Sequence, residues 1–223
     1  MQEDKKAELI IFDMDGLLFD TERLFMNLKG TVLEEYGYEH REEDYIRTIG
    51  TAGETLHAIL HEIYGPDYPA DAISRRTREL VDQSIEENGP PVKPGIPELL
   101  SVLAERKIPC CVATSTDSSV AASYIKKAGL MPYFSFIIGG DLITRSKPDP
   151  EIFLKACKQA GVRPENALVF EDSENGILAA DAAGIPVICI PDLKEPSPEI
   201  AAKTLAVLDS AGEAASFLRL DKS

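Results

Sequence analysis

A chain of 223 residues that is 44% hydrophobic can bury a sizeable core, either as one large domain or as two unequal ones. Its formal net charge of −15 opposes nucleic-acid binding, because no basic stripe offsets the acidic surface that a polyphosphate would have to approach. A small phosphorylated ligand is not excluded, since one lysine and a metal ion suffice to make a local positive pocket inside a negative chain.

Met1-Gln2-Glu3-Asp4-Lys5-Lys6 lacks the apolar run of a signal peptide, and no stretch is long and apolar enough for a membrane span, so a cytoplasmic protein without a membrane partner is expected. The next segment is a short apolar strand, Leu9-Ile10-Ile11-Phe12, that runs directly into Asp13-Met14-Asp15-Gly16. An acidic group at the end of an apolar run is costly unless it holds a cation or does chemistry, and two acids spaced i and i+2 lie on one side of an extended backbone. Gly16 frees the chain to turn sharply beside them.

Thr21 then caps a helical run that carries Leu24, Phe25, Leu28, Val32 and Leu33 toward one face and ends at Gly37. A helix over Glu54 to Tyr64 is closed by Gly65, and another carries Ile73, Leu80, Val81 and Ile85 and stops near Asn88-Gly89. Gly89-Pro90-Pro91-Val92-Lys93-Pro94-Gly95 is the strongest turn signal in the chain and reads as a linker between domains.

From Pro97 onward helices alternate with short apolar strands at Pro109 to Thr114, Phe136 to Gly139, Ala167 to Glu171, Pro186 to Ile190 and Leu205 to Leu208. That rhythm predicts βαβ units and a parallel sheet, which the first strand must rejoin. The expected fold class is therefore α/β: a core of residues 1–19 and 93–223, with an α-helical insert over 20–92 that can open and close over it. Cys110, Cys111, Cys157 and Cys189 have no C-x-x-C spacing and read as reduced core thiols.

Ligands of open parallel sheets gather at the carboxyl ends of the strands, which makes one site of residues far apart in sequence. Those ends deliver Asp13 and Asp15, then Thr114-Ser115-Thr116, then Lys147, then Glu171-Asp172. Phosphoryl transfer accounts for each type. A carboxylate that attacks a phosphate dianion meets repulsion of about 4 kcal/mol per unit pair at contact in an effective dielectric near 20, so cations must accompany it. Mg²⁺ suits Asp13, the backbone carbonyl of Asp15, and Asp172, while Lys147 and Thr114 bind the remaining phosphate oxygens and Asp15 serves as general acid and base.

Each element also has a plainer reading: Thr114-Ser115-Thr116-Asp117 and Glu171-Asp172-Ser173 can cap helices, and Lys147 can be a solvated loop lysine. Four plain readings at four successive strand ends are a poor account of the set. His57 and His61, spaced i and i+4, find no third ligand of matching type, and Arg75, Arg76 and Arg78 read as a solvated face paired with Asp71, Glu79 and Asp82.

The segments Asp13-Met-Asp15-Gly16-Leu-Leu-Phe-Asp20-Thr21-Glu22, Ala113-Thr114-Ser115, Ser146-Lys147-Pro148-Asp149-Pro150 and Phe170-Glu171-Asp172-Ser173-Glu174-Asn175-Gly176 resemble the haloacid dehalogenase superfamily, in its β-phosphoglucomutase-like phosphatase branch. The resemblance spans essentially the whole chain. It implies a Rossmann-like core, a helical cap, Mg²⁺ and an aspartyl-phosphate intermediate. By the same resemblance Asp13 is the nucleophile, Asp15 the acid/base, Thr114, Ser115 and Lys147 the phosphate binders, and Asp13, Asp15, Asp172 and Glu171 the metal site. Dehalogenases of the family lack the second aspartate, and the positions where β-phosphoglucomutases carry a histidine, a lysine and an arginine align with Phe25, Ile49 and Gly53.

The expected activity is thus Mg²⁺-dependent hydrolysis of a small phosphomonoester of a sugar, polyol or nucleoside by a monomeric chain. The alternatives are a phosphomutase or a non-catalytic sensor of phosphorylated metabolites. Gly50-Thr51-Ala52-Gly53-Glu54, a glycine-rich loop of the insert, is expected to set specificity, with Gly50, Thr51, Gly53 and Glu54 as its reading residues.

Overall fold

A computed structural model describes residues 7–51 and 53–218, so the readings made for Met1–Lys6 and for Ala52 fall outside the described residues. In chain order the elements are β1 (Leu9–Phe12), α1 (Thr21–Glu35), α2 (Glu42–Ile46), α3 (Gly53–Tyr64), α4 (Ala70–Asn88), α5 (Ile96–Glu105), β2 (Cys110–Ala113), α6 (Ser118–Lys127), β3 (Ile137–Ile138), α7 (Glu151–Ala160), β4 (Ala167–Glu171), α8 (Glu174–Ala182), β5 (Val187–Cys189), α9 (Pro198–Ala201), β6 (Ala206–Val207) and α10 (Ala211–Phe217). They form two compact units: an α/β unit built from residues up to Asp20 and from Pro91 onward, and a helical unit over Thr21–Pro90.

The α/β unit is a parallel sheet in the order β3-β2-β1-β4-β5-β6, the doubly wound arrangement of a Rossmann-like core. Its register brings Phe12 level with Val112 on one side and with Phe170 on the other, so β1, β2 and β4 end together. Every residue of β1 is buried, as a parallel strand covered on both faces requires. Leu9 and Ile11 enter one apolar layer with Val169, Phe153 and Ile177, while Ile10 and Phe12 enter the opposite layer with Leu99, Leu103 and Phe170. Full burial of each such side chain contributes about 1.5–3 kcal/mol before the cost of chain ordering is subtracted.

The division between units falls one or two residues from the expected breaks, for a local reason. Asp20 N–H donates to Pro91 O (2.8 Å), Lys93 N–H donates to Leu18 O (3.0 Å), and Phe19 bridges Val92, which stitches both connecting strands to the α/β unit. Helix α1 begins at Thr21 itself, and Gly53 and Glu54 are the first residues of α3, so among the described residues of the expected specificity segment Gly50 and Thr51 stand outside a helix. The two outermost strands, β3 and β6, are two residues each, shorter than their apolar runs suggest, since each pairs on one side alone.

The helical unit has its own core of Val32, Leu33, Leu60, Tyr68 and Ile73. Tyr64 and Tyr68 stack with centroids 4.6 Å apart, and Tyr38 meets both edge-on, a favourable arrangement of ring quadrupoles. Arg76 pairs with Glu35 and Glu79 on the exposed face. All four cysteines are buried and free, and burial pushes the Cys110 thiol up to about 12. Among the described residues no helix is long and apolar enough to cross a membrane.

Phe12 stacks on Phe170 at 5.2 Å between centroids and meets Phe134 edge-on at 5.9 Å. Phe12→Ala is therefore expected to lower unfolding free energy by about 3–5 kcal/mol, read as a lower urea midpoint at unchanged slope.

Candidate active site

Asp13 follows β1 directly and is 6% exposed; its backbone N–H donates to Phe170 O (3.0 Å), which locks the start of the turn onto the end of β4. The next residues form a tight buckle in which Leu18 and Phe19 N–H donate to Met14 O and Gly16 N–H donates to Phe19 O. Met14, Leu17, Leu18 and Phe19 are buried beneath it, and this apolar anchoring holds the aspartates above at fixed positions. Gly16 is required there twice over. Its φ of +80° disfavours any side chain, and a Cβ would stand 2.2 Å from Asp172 Oδ2.

Lys147, whose side chain is 6% exposed, ties the strand ends together by donating to Asp13 Oδ1 and, at 2.5 Å, to Glu171 Oε1. Glu171 is fully buried, and its other oxygen accepts from Asp172 N–H and Ser173 N–H (both 2.9 Å) and from Ser173 Oγ. Gly176 makes room for that carboxylate: a Cβ there would lie 1.8 Å from it. Removing the lysine would leave two buried carboxylates unopposed, at a cost of about 3–5 kcal/mol.

Asp15 faces the hydroxyl residues that follow β2. Thr116 Oγ1 donates to Asp15 Oδ2 at 2.7 Å, Thr114 Oγ1 reaches the same oxygen at 3.4 Å, and Thr116 N–H donates to Thr114 Oγ1. In the sequence Thr116 is one member of a hydroxyl run; its offset of two from Thr114 is the signal that puts it on the same side of the chain. Ser115 lies between them and is exposed, outside this hydrogen-bonded group. Gly50, Thr51, Gly53 and Glu54 belong to the helical unit.

Carboxylate oxygens of Asp13, Glu171 and Asp172 all lie within 4.8 Å of one another, the one such group of metal-binding side chains among the described residues. His57 and His61 are not part of it. Burial raises the Asp13 carboxyl to about 7, against the pull of Lys147, and burial with the charges of Glu171 and Asp13 holds Asp172 well above the carboxylate range. Burial also disfavours the charged forms of Glu171 and Lys147, but their mutual attraction prevails: Glu171 falls below its ordinary value and Lys147 rises above. Three carboxylates against one ammonium leave a negative excess of hard oxygen donors, which fits a divalent cation such as Mg²⁺.

A family model described as haloacid dehalogenase-like hydrolase matches residues 10–190. The chain belongs to that family. It is 34% identical over 182 residues to the phosphorylated carbohydrates phosphatase of Thermotoga maritima, covering 80% of this chain and 82% of that one. It is 30% identical to the fructose-1-phosphate phosphatase YqaB of Escherichia coli, over 80% of this chain and 94% of that one. The crystal structure of CbbY from Rhodobacter sphaeroides in complex with phosphate superposes with a TM-score of 0.72 at 28% identity, covering 93% of this chain and 96% of that one. Within the haloacid dehalogenase-like hydrolases the chain falls in the phosphatase branch, and it is an enzyme.

For this hydrolase the raised Asp13 predicts a pH-dependent response to cation. A carboxyl whose value is lifted from 3.8 to about 7 on folding contributes stability below pH 4 that is lost as pH rises through about 7. A cation bound there would replace the proton that the fold holds, so its stabilising effect would grow with pH. At about 100 times its dissociation constant a bound Mg²⁺ would add about 2.7 kcal/mol, or roughly 5–10 °C in Tm. The increment is expected to be larger near pH 7.5 than near pH 5.5 and to shrink in Asp172→Asn, as read by differential scanning calorimetry.

Proposed function

We propose that this chain is a Mg²⁺-dependent phosphatase that hydrolyses a small phosphomonoester, of a sugar, polyol or nucleoside, through an aspartyl-phosphate on Asp13. The observation that carries the reading is the division of the two aspartates between two environments. Asp13 stands with Lys147 and the acidic pair, whereas Asp15 stands with the hydroxyls of Thr114 and Thr116. That division supports reading one carboxylate as the attacking group and the other as the group of proton transfer.

In the first half-reaction a carboxylate oxygen of Asp13 bonds to phosphorus as the ester P–O bond breaks, and Asp15 delivers its proton to the departing alkoxide. In the second, Asp15 takes a proton from water as that water's oxygen bonds to phosphorus; inorganic phosphate leaves, and Asp13 recovers its carboxylate. Lys147 and the Thr114 hydroxyl bind phosphoryl oxygens, with Ser115 beside them, and Glu171 keeps Lys147 and Asp172 in place through bonds to both of its oxygens. Asp13, Asp172 and the Asp15 backbone carbonyl would hold Mg²⁺, which neutralises charge on the transferring group.

The relatives named for phosphorylated carbohydrates and for fructose 1-phosphate support sugar phosphates as the first class to assay. Gly50, Thr51, Gly53 and Glu54 are proposed on sequence grounds to bias the choice among alcohols. Glu54→Ala is accordingly expected to change the ranking of kcat/KM across a panel of sugar, polyol and nucleoside monophosphates by about tenfold for at least one member, with p-nitrophenyl phosphate turnover retained.

Wild-type protein with Mg²⁺ is expected to release phosphate steadily from p-nitrophenyl phosphate. Asp13→Asn abolishes it, and Asp15→Asn lowers kcat by about 10²–10⁴-fold. Release of phosphate by Asp13→Asn at the wild-type rate, from a contaminant-free preparation, would overturn the nucleophile. Conversion of a sugar monophosphate to its positional isomer in place of free phosphate would instead favour the mutase alternative.

A further inference from the structure

Lys93 and Asp192 form an ion pair that phosphoryl transfer does not use. Nζ and Oδ1 are 2.5 Å apart, with side chains only 16% and 5% exposed. A pair so buried sacrifices the hydration of both charges and yields little net stability, so its placement needs another reason. Each partner is anchored to an element that carries the active site. Lys93 N–H donates to Leu18 O, in the buckle that follows Asp13 and Asp15. Asp192 lies just beyond β5, in a segment whose Ile190 N–H donates to Glu171 O.

Gly16 shows where the pair points. A Cβ at Gly16 would meet Asp172 Oδ2 at 2.2 Å and Asp192 Oδ2 at 3.4 Å, so the two carboxylates converge on one side of the same backbone atom. Asp192 thus stands on the Asp172 side of the group formed by Asp13, Glu171 and Asp172, outside that group itself, and Lys93 is the ammonium that offsets it.

We propose that Asp192 is a positioning residue of the cation site, standing behind Asp172, and that Lys93 sets how much of its negative charge the cation feels. The inference rests on the metal-dependent reading above and extends it to two residues outside the four sequence motifs. Asp192 attracts the cation and its waters from outside the ligand set, as outer carboxylates do at hydrated Mg²⁺. Lys93 tempers the repulsion between Asp192 and Asp172 when no cation is bound and limits the affinity when one is.

The test exploits sign. Mg²⁺ binding to the full chain is measured by isothermal titration calorimetry, with melting temperature and circular dichroism recorded for each variant. Asp192→Asn leaves Lys93 uncompensated and is expected to weaken Mg²⁺ binding about tenfold. Lys93→Met leaves Asp192 uncompensated and is expected to tighten it several-fold, even as the metal-free protein loses stability. The charge-neutral double variant returns the dissociation constant to within about threefold of wild type and guards against reading a folding defect as a metal effect. If the pair merely staples two loops, both single variants shift affinity in the same direction or leave it within about twofold, and the proposal fails. A wild-type chain that binds no Mg²⁺ overturns the metal-dependent reading itself, a different result from variants that bind alike.

Discussion

Lys147 is the constraint on which the active site depends. It brings one positive charge from the loop after β3 to Asp13 at the end of β1 and Glu171 at the end of β4, two carboxylates that would otherwise repel each other in a region nearly closed to water. Unit charges at contact interact by about 4 kcal/mol even at an effective dielectric near 20, so this one side chain offsets much of the repulsion between the two acids. The lysine also leaves the balance incomplete, because Asp172 shares the same space. Three carboxylates thus face a single ammonium, a negative excess that fits a divalent cation.

Precision comes from the sheet. Parallel strands in register end level with one another, and the backbone bonds from Asp13 N–H to Phe170 O, Thr114 N–H to Ile138 O and Ile190 N–H to Glu171 O carry that alignment one residue past the strands, where the chemistry begins. Beneath it lie two apolar layers, including the stacked Phe12 and Phe170. The side chains above need not search for one another when substrate arrives, which is how a fixed arrangement of charges lowers a barrier. Close backbone approaches complete the design: without glycine at 16 and 176, Asp172 and Glu171 would each be displaced.

The α/β unit carries the groups suited to phosphoryl chemistry in general, since one fold hosts many activities and a particular one is set by individual side chains. Thr114 and Thr116 illustrate the distinction. Both hydroxyls engage Asp15, the group proposed for proton transfer, rather than any part of the molecule that could tell one alcohol from another. The helical unit, with its tyrosine cluster and separate apolar core, is stabilised independently of those groups.

Local pattern alone was enough to read the alternation of helix and strand, the acidic doublet after the first strand and the lysine and acidic pair further on, because apolar periodicity and turn chemistry are properties of neighbouring residues. It was also enough to anticipate the parallel sheet, as βαβ rhythm admits few other arrangements. Strand lengths at the sheet edges, the short helix Glu42–Ile46 and the entry of Gly53 into the helix expected from Glu54 escaped it, since pairing partners and tertiary packing decide those boundaries. Thr116 beside Asp15, the room that Gly176 gives Glu171, and the meeting of Lys93 with Asp192 across 99 positions of chain were equally beyond it. The sequence by itself determined which chemical groups stand at the ends of the strands; only the tertiary structure decided which of them touch, because a Coulomb or hydrogen-bond interaction depends on distances that separation along the chain does not encode.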